Sequence, residues 1–495
     1  MRRKINLTTD LQNMVFEQER SIRDATRNLA LNRKGILFIV DKDRKFTGTL
    51  SEGDIRRAFV SGASPDRTVS EIMFRHPVFF HTNTDINKIV DRLGVNNKLG
   101  EKLYIPILDE KTNEIAGYYS YYDIKFIPIA KPDLKNAEME YVVDCIEENW
   151  ISSQGKYIGM FEESFASFLG TKYALAVSNG TVALHLALVT MGIGPGDEVI
   201  VPGLTFIATA NSVSYTGAKA VFADSEMDTW NIDPASIEKL ITPRTKAIIP
   251  VHLYGQPCRM DEIMAIAKKN NLMVIEDAAE AHGAQYKGRY VGSIGQVGCF
   301  SFFGNKIITT GEGGMVVTND RELYEKAKIL RDHGMDPQRK YWHKYIGFNY
   351  RMTNLQAAIG FAQVERIAEI LRRKLQIAEL FRKKLGSNPG FIFSPKNDWS
   401  VNICWMCSIV LRNGSYNGLS RDALIEVLKK QNIESRPFFY PIYKMPPYAS
   451  DLNLPVCELL SANGINLPSY PELKDEEIEH ICNFINGCAP ISSPV

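Results

Sequence analysis

The sequence has almost no net charge: 58 lysines and arginines face 57 aspartates and glutamates, leaving +1 over 495 residues. It also lacks any long run of one sign. Both features argue against a partner captured by bulk electrostatics, so neither nucleic acid nor an acidic membrane surface is expected. Long apolar runs are missing too. None approaches the roughly 20 residues that span a bilayer. The basic start Met1-Arg2-Arg3-Lys4 leads into polar Thr8-Thr9-Asp10 instead of a secretory apolar segment. The expectation is a cytoplasmic chain with no membrane partner. Cysteine is sparse, with eight scattered residues, and without a signal segment these read as free thiols. Cys404 and Cys407 form a C-x-x-C, but no second ligand pair lies nearby. No metal site is expected, and Val401 to Leu411 reads as a buried strand.

What is present is a large globular composition, 45% hydrophobic and 23% charged, long enough for about three domains. The first part repeats itself. Gly35 to Val40 is an apolar run, Asp41 to Lys45 a turn, Phe46 to Leu50 a strand, and Ser51-Glu52-Gly53-Asp54 opens a helix. About seventy residues later the pattern returns in Leu103 to Leu108, Asp109 to Glu114, Ile115 to Tyr119 and Ser120-Tyr121-Tyr122-Asp123. Gly48 precedes Asp54 by the same interval as Gly117 precedes Asp123. This repeat resembles a tandem pair of CBS domains over about residues 10–127. The resemblance implies a regulatory module in which Ser51, Asp54, Ser120 and Asp123 contact a nucleotide, usually an adenine one. The same aspartates can also serve only as helix caps. Pro128 and Pro132 mark the end of this part.

From Tyr173 to Glu276 strand and helix patterns alternate, which implies a mostly parallel α/β sheet covered on both faces. Ligands in such sheets sit beyond the carboxyl ends of the strands. Three polar constellations fall at such ends. Ser178-Asn179-Gly180-Thr181 opens a helix, where free N–H groups and the helix dipole attract an anion. Glu276-Asp277-Ala278-Ala279-Glu280-Ala281-His282 follows a strand, and a carboxylate there can keep a pyridinium nitrogen protonated or merely cap a helix. His282 reads as a packed histidine. Phe300-Ser301-Phe302-Phe303-Gly304-Asn305-Lys306 sets a lysine in an apolar and small-residue setting, where burial lowers its pKa and prepares it for Schiff-base chemistry. Anion site, ring partner and lysine together are the parts a pyridoxal phosphate enzyme needs.

On these segments, together with Trp150-Ile151-Ser152-Ser153-Gln154-Gly155, Pro202 to Thr209 and Gly347 to Asn354, residues from about Lys131 to Ile485 resemble the DegT/DnrJ/StrS sugar-nucleotide aminotransferases. The resemblance implies the aspartate-aminotransferase fold, PLP fold type I. It divides the chain into a CBS-like module (1–127), a large cofactor domain (128–375) and a smaller C-terminal α/β domain (376–495). It implies that Lys306 carries pyridoxal 5′-phosphate as an internal aldimine and that pyridoxamine phosphate carries the amine between half-reactions. Asp277 pairs with the ring nitrogen, Phe206 stacks on the ring, and Glu280 lies where the family has a polar contact near the ring hydroxyl. Ser301, Gly180 and Thr181 hold the phosphate. Asn349 reaches the neighbouring subunit's cofactor, which implies a homodimer with shared active sites. L-Glutamate is the implied donor and a nucleotide sugar the acceptor, with Arg436 and Tyr440 as candidates for facing it. The runs Ser301 to Thr318, Tyr341 to Asn354 and Ser435 to Pro441 are most similar to members that convert GDP-4-keto-6-deoxymannose to GDP-perosamine for surface polysaccharides. A UDP- or dTDP-linked keto sugar, or dehydration in place of amine transfer, stays open. The presence of Lys306 where the dehydratases have histidine favours amine transfer. Arg331 to Tyr341, poor in apolar residues, reads as a loop able to close over substrate.

Overall fold

The structure is a computed structural model that describes residues 7–32, 34–85, 104–120, 126–135 and 137–488. The chain divides into two compact units, Met1–Ile127 with Lys430–Asn432, and Pro128–Lys429 with Ile433–Val495.

The first unit contains its repeat as two like sheets. In one, Ile36–Val40 pairs antiparallel with Phe46–Ser51 and parallel with Val15–Glu17. In the other, Tyr104–Leu108 pairs antiparallel with Ile115–Ser120 and parallel with Phe80–His81. Both hairpins shift register at the corresponding place, between Ile39 and Val40 and between Ile107 and Leu108. The repeated glycines have one physical cause. A Cβ on Gly48 would lie 2.5 Å from the Phe74 carbonyl oxygen, and one on Gly117 would lie 2.6 Å from that of Thr8. Another backbone strand approaches at each point, and only glycine leaves room. Helix Glu52–Val60 opens with a capping box: the Ser51 hydroxyl accepts from the Asp54 N–H at 3.2 Å, and Asp54 accepts from the Ser51 N–H at 2.8 Å. Asp123 lies outside the described residues.

The second unit is built on a seven-stranded sheet. Its strand order is Tyr173–Val177, Gly314–Thr318, Val297–Ser301, Met273–Asp277, Thr245–Ile248, Glu198–Pro202, Lys219–Ala223. Gly314–Thr318 is antiparallel to both neighbours, and every other pairing is parallel. Buried aromatics pack one face: Phe165 meets Phe300 edge-on at 5.0 Å, and Phe161 lies 5.0 Å from Phe302. A four-stranded antiparallel sheet follows, ordered Phe391–Phe393, Cys407–Leu411, Gly464–Leu467, Arg436–Pro437. Helix Ile367–Leu385 runs unbroken through residues 375 and 376.

One local expectation is corrected. Val401 to Leu411 is not one strand. Strands Ser400–Val401 and Cys407–Leu411 are separated by an irregular buried segment in which Cys404 has φ +45°. Its backbone is satisfied elsewhere, because the Trp405 N–H donates to the Tyr254 carbonyl at 3.0 Å. Burial without ladder pairing looks like a strand in sequence. Helix Ala137–Glu147 leaves much of its apolar side exposed: Met139 is 79% exposed while Glu138 and Cys145 are buried. Glu138 is held instead by Gln363 Nε2 at 2.5 Å and by Arg366. All eight cysteines are buried free thiols.

Candidate functional site

Asp277 is the last residue of its strand, and Ser301 closes the adjacent parallel strand. The helix that starts at Gly180 comes close to Ser301. A Cβ on Gly180 would lie 2.7 Å from the Ser301 Cβ, so glycine is what lets the helix start meet the strand end. Asn179 caps this helix by accepting from the Val182 N–H at 3.0 Å. Helix Gly180–Thr190 therefore presents its positive end at Ser301.

Asp277 is buried and oriented. Its Oδ2 accepts from the Thr209 hydroxyl at 2.7 Å, and its Oδ1 from the Ala279 N–H at 3.2 Å. Burial pushes its carboxyl up, and those two donors together with the Lys306 charge push back. Glu280 accepts from the Tyr254 N–H at 2.9 Å and lies 3.7 Å from Lys306 Nζ. Burial pushes its carboxyl up to about 7, against the pull of Lys306. Lys306 is 12% exposed and its pKa is lowered by burial, with Glu280 and Asp277 opposing. Both partners of this pair are thus shifted toward their neutral forms, the direction that suits an amine acting as a base. His282 is buried among Phe165, Phe300 and Phe302, and burial pushes it down to about 3. It stays uncharged and packed, as its sequence suggests.

Glu280 carries a pH signature. Its folded pKa lies above the ordinary value of 4.5, so the folded chain binds this proton more tightly than the unfolded chain. The stability this contributes is complete below about 4.5 and is lost as pH rises through about 7. Unfolding of the cofactor-free chain and of Glu280→Gln, compared at about pH 5 and about pH 8, should differ in slope. The parent loses on the order of 3 kcal/mol more across that interval. Parallel curves would remove Glu280 as the titrating group.

The other expected residues have the following surroundings. Phe206 is 56% exposed, with its ring 5.9 Å from that of Phe439. Phe439 stacks on Tyr254 at 5.4 Å, and its N–H donates to the Tyr254 hydroxyl at 3.1 Å. Tyr440 follows, also exposed. Arg436 is exposed and ion-paired with Glu434 at 2.8 Å. Thr181 sits in the first turn of the capped helix. Asn349 is exposed and bridges Asp332, with its side chain accepting from Arg351 at 3.0 Å. Sequence reasoning missed Thr209, which orients Asp277, and Trp405, whose ring centroid lies 4.1 Å from Lys306 Nζ. Thr209 was quoted in a motif without a role, and Trp405 was hidden in the supposed strand.

The donor set fits the pyridoxal phosphate that the resemblance implies. The Gly180–Ser301 contact at a helix start suits a phosphate, buried Asp277 suits a ring nitrogen, and buried Lys306 suits an aldehyde.

The chain is similar to known proteins in both sequence and fold. Residues 132–486 match the DegT/DnrJ/EryC1/StrS aminotransferase family. The GDP-perosamine synthase of Caulobacter vibrioides is 50% identical over 362 residues, which is 72% of this chain and 97% of that protein. That of Vibrio cholerae is 44% identical over 364 residues, 73% of this chain and 98% of that protein. Among solved structures, the aminotransferase from Psychrobacter cryohalolentis is 35% identical with a TM-score of 0.69, over 73% of this chain and 98% of that one. S. venezuelae DesV, solved in complex with a ketimine intermediate, is 33% identical with a TM-score of 0.68, over 73% and 97%. The chain belongs to the DegT/DnrJ/EryC1/StrS aminotransferase family.

Proposed function

We propose that the chain is a pyridoxal-phosphate-dependent aminotransferase that moves the amino group of L-glutamate to GDP-4-keto-6-deoxymannose, giving GDP-perosamine for surface polysaccharides. The observation that carries this reading is the buried Lys306 amine beside Glu280 and Asp277, in a chain that is 50% identical to a GDP-perosamine synthase over nearly all of that protein's length.

When bound, the cofactor supplies an electron sink for the donor's α-carbon. The chain's residues do the rest. Gly180, Thr181 and Ser301 bind its phosphate through the helix start and a hydroxyl. Asp277, oriented by the donors of Thr209 and Ala279, would keep the ring nitrogen protonated. Phe206 covers one ring face, and Glu280 meets the ring hydroxyl. Lys306 Nζ takes the proton from the donor's α-carbon and returns it on the other side of the reaction, and its lowered pKa suits that exchange. Arg436 and Tyr440 face the nucleotide sugar.

The active unit is a homodimer in which Asn349 reaches the neighbouring site. Exposed apolar side chains support it, with Met139, Val143 and Ile146 on one helix and Trp150 and Ile151 just after. Residues 1–127 form a CBS-like regulatory module that takes an adenine nucleotide at Ser51, Asp54, Ser120 and Asp123. The two like sheets support this. The large domain starts at 128, and helix Ile367–Leu385 leads into the C-terminal domain.

The test is an absorbance trace of the cofactor-loaded chain. L-Glutamate should bleach the bound-cofactor band, and GDP-4-keto-6-deoxymannose should restore it while an amino sugar of the expected mass appears. Bleaching without restoration would reject this sugar, and a chain that takes up no pyridoxal phosphate would reject the whole reading.

A further inference from the structure

Trp405 has no part in the mechanism above, yet its ring centroid lies 4.1 Å from Lys306 Nζ. The side chain is 5% exposed and held from three directions. Its indole N–H donates to the carbonyl of Asn305, the residue before Lys306, at 2.7 Å. Its backbone N–H donates to the Tyr254 carbonyl at 3.0 Å, and the Tyr254 N–H donates in turn to Glu280. Its carbonyl accepts from Lys374 Nζ at 2.9 Å, and Lys374 is itself buried and also bonded to the Ser469 carbonyl at 2.7 Å. Both interlocking segments turn through the left-handed region, with Cys404 at φ +45° and Tyr254 at φ +52°. The indole N–H bond to Asn305 fixes the ring itself, and the two backbone bonds fix the segment that carries it.

We propose that Trp405 is a positioning residue for Lys306: its indole face, locked by Asn305, Tyr254 and Lys374, holds the lysine amine beside Glu280 and stabilises its positive charge. This inference rests on the reading of Lys306 as the amine that takes the cofactor.

The ring face of tryptophan attracts a cation, that of phenylalanine does so more weakly, and leucine has none. The effect opposes burial, which lowers the Lys306 pKa. The other charged groups that face the amine are known. Glu280 and Asp277 favour its charge. His282 is uncharged. Lys131, Asp133 and Lys374 line the cavity of about 20 Å³ that Lys306 and Trp405 share. Replacing the ring with leucine keeps an apolar cover over the amine and leaves these groups in place while it removes the π face, so Lys306 should release its proton more readily.

The experiment uses the full chain without cofactor, mixed with pyridoxal phosphate across a pH series. Capture is read from the absorbance of the bound form. Only the neutral amine attacks the aldehyde, so the midpoint of rate against pH reports Lys306. In Trp405→Leu the midpoint should fall by about one pH unit, and in Trp405→Phe by less. Below the midpoint, capture by the leucine variant should be about tenfold faster. A midpoint that stays or rises overturns the proposal. If circular dichroism finds the leucine variant unfolded, Trp405→Phe decides alone: a partial fall supports the proposal, and an unchanged midpoint ends it. Lys306→Ala separates the two levels. Capture that survives this change defeats the assignment of Lys306. Capture confined to Lys306, with midpoints unmoved by Trp405, defeats only the role of the ring.

Discussion

Lys306→Ala should stay folded and lose amine transfer by at least about ten-thousand-fold, the upper end of what one positioned acid–base group supplies. Two functions disappear with one amine: attachment of the cofactor and proton movement at the donor's α-carbon. The fold should survive because the side chain contributes little packing beyond the Trp405 face. Its burial is unfavourable to its charge, as its lowered pKa indicates. Glu280 is left without its cation, but its raised pKa lets it take up a proton instead. Unfolding midpoints within a few degrees of the parent, beside a steady-state rate at background, are the expected pair of results. Substantial turnover by the alanine variant would sink the assignment.

Asp277→Asn should separate attachment from catalysis. The amide fills the same space and can still bond Thr209 and Ala279, so the strand end should keep its shape. What it removes is the negative charge proposed to face the ring nitrogen. Cofactor should still attach to Lys306 and give its absorbance band, while turnover falls by about a hundred- to a thousand-fold, the range for one lost electrostatic partner of a developing charge. Turnover near the parent's would mean that another group supports the ring nitrogen.

The difference between these variants traces to how each residue could be read in the chain. Asp277 and Ser301 were visible because a strand pattern ran directly into them, and a parallel sheet brings strand ends together. Gly180 was visible as a turn that opens a helix. Its necessity was not, because the 2.7 Å approach to Ser301 joins residues far apart in sequence. Thr209 and Trp405 were invisible as site residues for the same reason: a threonine early in a helix and a tryptophan in an apolar run look like ordinary packing. The apolar spacing of Ala137–Glu147 makes a helix whose apolar side is largely exposed. Periodicity reports that one side is apolar, not what covers it.

Local order, then, was in the sequence itself. The alternation that makes a parallel sheet, the duplicated hairpins with their glycines, the helix start at Gly180 and the lysine in its small-residue setting all arise from neighbours along the chain. The resemblance carried by those segments named the chemistry. Only the tertiary structure decided which groups share a dielectric. It put Glu280 at 3.7 Å from Lys306, raised one pKa and lowered the other by common burial, and turned Trp405 toward the amine. Electrostatics and burial depend on distance in space, and that distance exists only once the chain has folded.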